Sequence, residues 1–394
     1  MAKSDDIARR FLLLNLGHAL NHYLILVFPT AALFLVSEWD MSYADLLKLG
    51  SAGALAYGAG AIPAGWLADR YGRETMMAVF FLGIGVSSVI AGLAAGPWSI
   101  TISITLLGLF AAIYHPVGIA MVYELSARPG RLLAINGVAG NLGLALAAVS
   151  TTSLAQWFGW RAAFLAPGLL TLGLGVYYAT LTRAPVAAPA AAATGSSGGG
   201  SYRYMPLIFI SIVTIALCGG LVFNSLTTAL PKILAVDMGE ASQSLASAGG
   251  KATLMLALAS LAQIIMGELL ERYRAEWLLA GLTSMQVAVL AMAALSDSPT
   301  ILLALALFVT FGQIPANDLL VGKYSSTQWR SRFYAMKYTL GLGVASIAYW
   351  LIALSFESTG AFDLLYSVLA LTMAVAAGAA LMLAYVSRPI LQHN

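Results

Sequence analysis

Twelve apolar stretches, most of about twenty residues, run along the chain with short polar segments between them. They lie near 11–35, 47–67, 75–95, 99–123, 131–154, 160–182, 205–230, 250–270, 276–295, 300–322, 333–355 and 361–386. About twenty consecutive apolar residues are what a helix needs to cross a hydrocarbon core. A chain inside lipid must satisfy its own backbone hydrogen bonds, and these runs lack the alternation of a membrane barrel, so the pattern predicts helices. The expected fold is an all-α integral membrane protein with twelve transmembrane helices. The first stretch has the position of a signal peptide. Its length, its Asn15, His18, Asn21 and His22, and the lack of a clean cleavage site mark it instead as the first membrane helix.

Composition agrees. The 394 residues are 60% hydrophobic and only 9% charged, with a mean hydropathy of +0.85, whereas an ordinary soluble domain is about 25% charged. A net charge of +3 gives no reason to expect a nucleic-acid partner. The single cysteine, Cys218, excludes an internal disulfide and reads as a small packing residue. With the N-terminus inside, the inner loops collect fifteen Lys and Arg and the outer loops four, with Lys337 left within a helix. Basic loops resist translocation, so both termini are expected in the cytoplasm. Residues 184–204, rich in Pro, Ala, Gly and Ser, read as a flexible cytoplasmic linker between six-helix bundles at 1–183 and 205–394.

The two halves repeat one another at an offset of about 202 residues: Gly65-Trp66-Leu67-Ala68-Asp69-Arg70-Tyr71 recurs as Gly267-Glu268-Leu269-Leu270-Glu271-Arg272-Tyr273, Pro29 matches Pro231, and His22 matches Asn224. Gly65 through Arg73, with Asp69, Arg70 and Gly72, resembles the G-x-L-x-D-R-x-G-R signature of the major facilitator superfamily. The resemblance covers Phe11 to about Tyr385. It implies two pseudo-symmetric bundles in a bacterial inner membrane, and a cytoplasmic gate at Gly65, Asp69, Arg70, Gly72 and Arg73 with a degenerate copy at Glu271 and Arg272. In the outward-open state Asp69 would then sit near Arg330 to Arg332, beside a helix N-terminus that favours a carboxylate. Tyr114-His115-Pro116 and Gly137-Val138-Ala139-Gly140-Asn141-Leu142-Gly143 are similar to elements of the fosmidomycin-resistance-like branch. The helix 5 glycines are also similar to a drug/proton antiporter motif. Its Gly-Pro pair and the antiporters' helix 4 arginine are absent, which argues against drug export.

Polar residues within apolar stretches are costly and so point toward a central cavity. In the first half these are Asn15, His18 and His22 on one face of helix 1, His115 in helix 4 and Asn136 in helix 5, aligned with Gly140 and Gly143. In the second half they are Asn224, Gln263, Gln313, Asn317, Asp318, Tyr334, Lys337 and Tyr338. The substrate-binding candidates are His18, His22, His115, Asn136, Asn224, Gln313, Asn317 and Lys337. His22, His115 and Asp318 are the proton-coupling candidates. Asp318 and Lys337 could equally neutralise each other. No acid or cysteine of the same half accompanies the histidines, and the fourteen Met are scattered, so neither a metal nor a cofactor is expected. Tyr349 and Trp350 read as anchors at the membrane interface.

The chain has no G-x-x-x-x-G-K-[ST] phosphate loop and no nucleophile–base pair at recognisable spacing, which disfavours nucleotide hydrolysis and enzyme chemistry. The expectation is a monomeric secondary transporter working by alternating access on a small polar or anionic organic solute. Proton coupling, uniport and drug or metabolite export stay open as variants, with a transporter-like membrane sensor as the reading from another class.

Overall fold

The computed structural model describes residues 2–125, 130–181, 204–238, 245–324 and 330–387, with backbone only for 2–5, 130 and 330–335. The linker expected at 184–204 lies outside the described residues apart from Tyr204. The side chains of Arg330 and Arg332, expected opposite Asp69, also lie outside them.

All the described elements are helical. In order they are α1 (Ala2–Trp39), α2 (Tyr43–Tyr71), α3 (Arg73–Gly92), α4 (Pro97–Ala111), a π-turn (Tyr114–Gly118), α5 (Ile119–Glu124), α6 (Gly130–Phe158) and α7 (Trp160–Leu181). The second half holds α8 (Met205–Asp237), α9 (Leu245–Arg272), α10 (Ala275–Ala294), α11 (Thr300–Tyr324), α12 (Arg330–Gly343), α13 (Ala345–Thr359) and α14 (Asp363–Val386). The fourth membrane helix is α4, the π-turn and α5 in series, and the eleventh is α12 followed by α13. Eleven of the twelve are long and apolar enough to span a bilayer among the described residues. The exception is α2, which is 29 residues long but rich in Gly and Ala. It packs against α4, α12 and α13, so it meets other helices along much of its length and needs less apolar side chain toward lipid. Outward faces elsewhere carry exposed Ile301, Leu371 and Val375, which suits hydrocarbon surroundings.

Glycines at positive φ set chain reversals at Gly72, Gly159 and Gly360. Gly72, at φ 90°, ends α2 by donating its N–H to Ala68 O at 2.9 Å, and Gly360, at φ 68°, caps α13. The signature loop therefore needs Gly72 for its turn. Gly65 is less constrained, because a Cβ there would meet only Pro116 Cβ, at an ordinary 3.7 Å.

The halves are drawn together toward the ends that the loop charges assign to the outer side. Lys48 of α2 reaches Glu357 of α13 at 3.0 Å, and Lys232 of α8 lies over the rings of Tyr43 and Phe356. A Cβ on Gly50 would collide with Tyr349. Tyr349 is thus buried at 5% exposure and not an interface anchor, while Trp350 is exposed as expected. Deeper along the same seam, Gly58 meets the backbone of Gly343. Between α6 and α9, Thr253 Oγ1 donates to Ala145 O at 2.6 Å.

Candidate functional site

Pro116 lacks a backbone N–H and crowds the carbonyl one turn back, so the fourth helix relaxes into the five-residue π-turn that carries Tyr114 and His115. α1 meets α6 closely at Gly140 and Gly143. A Cβ on Gly140 would stand 2.8 Å from the His18 ring, and Gly143 packs on the backbone of Ala19. These contacts set His18 into the bundle.

The first-half candidates converge. His18 and His115 are each 7% exposed, Asn136 2%, and His22 is partly buried. His18 Nδ1 lies 2.7 Å from the Asn136 carbonyl oxygen. A carbonyl only accepts, so Nδ1 carries the proton and Nε2 of the neutral ring presents a lone pair. Across 3.2 Å from it stands His22 Nε2. His115 Nε2 lies 3.1 Å from Tyr57 Oη, which accepts from Asn21 Nδ2 at 2.8 Å, while His115 Nδ1 is buried with no partner. Asn136 Nδ2 donates to Asn15 Oδ1 and to Tyr114 Oη, both at 2.9 Å. His18 stacks on Tyr114. One nitrogen from each of the three histidines falls within 4.8 Å of the others, a group able to hold a metal ion.

The second-half candidates border a different space. A cavity of about 160 Å³ is lined by Phe223, Asn224, Gln313, Asn317, Lys337 and Tyr338 among others, most of them apolar. Lys337 Nζ is hydrogen-bonded to the Asp318 carboxylate, so the neutralisation foreseen for this pair is present. Asn224 Nδ2 donates to Gly220 O and Gly341 O, at 2.7 and 3.1 Å, which ties α8 to α12. A smaller cavity of about 50 Å³ is lined by both His22 and Asn224, with Tyr57 and Tyr349. The two groups touch through His115, whose ring stacks on Tyr338 with centroids 5.0 Å apart.

The gate residues lie apart from both groups. Asp69, Arg70, Glu271 and Arg272 are exposed, Arg70 lies over the rings of Trp66 and Tyr71, and Arg73 is paired with Glu124.

Two features escaped the sequence reading. Tyr57, which joins His115 to Asn21, stands mid-helix amid the glycines and alanines of α2, whose other tyrosines, Tyr43 and Tyr71, are its end residues, and that central position was its one signal. Glu276, fully buried, holds Lys323 at 2.6 Å and the Tyr324 hydroxyl. Its repeat counterpart Glu74 holds Arg10 and Tyr178. Carrying the 202-residue offset five positions past Glu271 would have found the pair.

Residues 12–313 match the profile of the Major Facilitator Superfamily. The chain belongs to that superfamily. The narrower resemblance to its fosmidomycin-resistance-like branch rests on the two short motifs alone. Over 110 residues the chain is 30% identical to a puromycin resistance protein of Streptomyces alboniger, covering 27% of this chain and 22% of that one. Over 165 residues it is 31% identical to a probable 4-methylmuconolactone transporter of Cupriavidus pinatubonensis, covering 40% and 39%. These matches span about a fifth to two fifths of the relatives' lengths. A bacterial homologue of the human lysosomal transporter Spinster, solved inward-facing and occupied, superposes with a TM-score of 0.72 over 98% of this chain and 97% of its own, at 15% identity. That likeness is one of fold. The chain is thus a multi-pass membrane protein of a transporter family.

Proposed function

We propose that this protein carries a small organic acid across the bacterial inner membrane by alternating access, with both termini cytoplasmic. The observation that supports this most directly is Lys337. It stands on the wall of the larger cavity with Gln313, Asn317 and Asn224, among apolar and aromatic neighbours. A cation and amide groups bordering a mostly apolar space suit a compact solute with a carboxylate at one end and an apolar or cyclic body. The relative named for 4-methylmuconolactone fits that class.

Asp318 supplies a route to coupling. While it is ionised it holds Lys337. Once protonated it would release the ammonium to the carboxylate of an arriving solute, so proton and anion would load together. Asp318 is favoured over His22 and His115 as the coupling residue because it is already paired with an opposite charge that the solute needs.

Uptake into proteoliposomes tests both parts. Labelled lactone acids and hydroxybenzoates should accumulate under an inward proton gradient. Asp318→Asn should still exchange solute across the membrane but lose accumulation driven by the gradient. Transport of puromycin with no transport of any acid would move the protein to drug export. Saturable binding of an acid with no flux would favour a sensor.

A further inference from the structure

The sequence carries four histidines, and three of them meet in one place although they come from two helices. We propose that His18, His22 and His115 form a binding site for a divalent transition-metal ion of the zinc, cobalt, nickel or copper class. This reverses the expectation drawn from the absence of a neighbouring acid or cysteine, and the reason is geometric.

Two imidazole nitrogens bound at about 2.0–2.1 Å to a tetrahedral ion stand about 3.3 Å apart. His18 Nε2 and His22 Nε2 are already 3.2 Å apart. The bond from His18 Nδ1–H to the Asn136 carbonyl leaves Nε2 unprotonated and fixes the ring, which is the supporting contact that metal-bound histidines use. His115 is held in the same way when its Nε2–H is donated to Tyr57 Oη. The other nitrogen, Nδ1, is the buried atom without a partner, and a bound ion would satisfy it. One nitrogen of each of the three rings lies within 4.8 Å of the other two, so closing on an ion calls for ring rotations that bring the nitrogens to about 3.3 Å from one another.

An all-imidazole set suits zinc, copper and nickel and disfavours magnesium and calcium, which prefer oxygen. Three protein ligands leave a fourth position open. A cavity of about 50 Å³ borders His22 and has room for a water or one donor atom of a solute beside that ligand. The cluster holds no carboxylate among the described residues, so an anionic oxygen entering at that position would offset the charge of the ion. The metal site stands without the organic-acid reading. Only the identity of the fourth ligand depends on it.

The full-length protein, purified through a tag without histidines and stripped with EDTA, is titrated with Co²⁺ and followed by visible absorption. The expected result is about one equivalent of Co²⁺ per chain with the intense bands of a low-coordinate site, displaced by Zn²⁺ and accompanied by a rise in melting temperature. His22→Gln and His115→Gln should each weaken binding roughly tenfold to a hundredfold, the range that loss of even a supporting contact produces at metal sites. His393→Gln should bind as the parent does. Gel-filtration profiles and melting curves recorded without Co²⁺ show whether the variants fold. Binding equal to that of the His18→Ala, His22→Ala, His115→Ala triple variant overturns the site. A flat titration with acid binding intact removes the metal site alone, and Co²⁺ binding without any acid binding removes the transport reading alone.

Discussion

Around His18, His22 and His115 four of the ring nitrogens meet groups of the same half, namely the Asn136 carbonyl, a neighbouring histidine and Tyr57. Around Lys337, Gln313, Asn317 and Asn224 border an open cavity, and the lysine is hydrogen-bonded to an acid on the preceding membrane helix. The first arrangement is pre-organised and demanding of geometry, which suits a small ion. The second keeps a charge available in roomier, mostly apolar surroundings, which suits an organic solute. A pseudo-symmetric fold has thus been filled with unlike chemistry on its two sides. Equivalent positions in the repeat, His22 and Asn224, face the same small cavity with side chains of different capability.

The largest effect is expected at Lys337. Lys337→Gln removes the cation from the cavity wall, and a hydrogen bond to a charged partner contributes about 1.5–3 kcal/mol, so organic-acid affinity should fall roughly tenfold to a hundredfold. Isothermal titration with the best acid reads this directly. Co²⁺ binding by the same variant should be unchanged, and a parallel loss of both would show that the two groups are one site. Gly140→Ala presses from the other side. Its new methyl would sit 2.8 Å from the His18 ring, and overpacking of this kind costs about 1–3 kcal/mol. The melting temperature and Co²⁺ affinity should drop while acid affinity stays near the parent value, a pattern that melting curves and paired titrations can check.

The twelve helices were legible because apolar runs of membrane length leave the backbone few alternatives, and the repeat was legible because Gly65 to Tyr71 and Gly267 to Tyr273 retain their charges and glycines. The candidate residues were legible one by one, since a polar side chain in a membrane helix is conspicuous. Their grouping was not. His18 and His22 share a face by helical period, but the approach of His115 depends on a π-turn and on Gly140 admitting the His18 ring, and neither depth nor rotation of a helix is written in spacing. Tyr349 was misjudged for the same reason: its position near a helix end suggested the interface, while Gly50 opposite makes a buried slot for it. Glu276 was overlooked because a charged residue at the start of an apolar run looks solvated until Lys323 and Tyr324 close over it.

The smallest effect is expected at the signature loop, and it separates both polar groups from the gate. Asp69 is exposed while the opposite ends of the halves are held by Lys48 and Glu357. If Asp69 engages a helix N-terminus only when the cytoplasmic side closes, its charge alters the balance between the two access states and leaves each binding group intact. A carboxylate at a helix N-terminus contributes about 0.3–1 kcal/mol, which is a shift of up to about fivefold in that balance. Asp69→Asn should therefore insert normally and bind acid and Co²⁺ as the parent does, yet transport a few-fold more slowly. Glu271→Gln should slow transport less, because that copy of the loop has Arg274 where the first has Gly72 and lacks its tight turn. Proteoliposome flux measured beside equilibrium binding separates rate from affinity, and full flux in Asp69→Asn at matched protein density would remove the gate from the account.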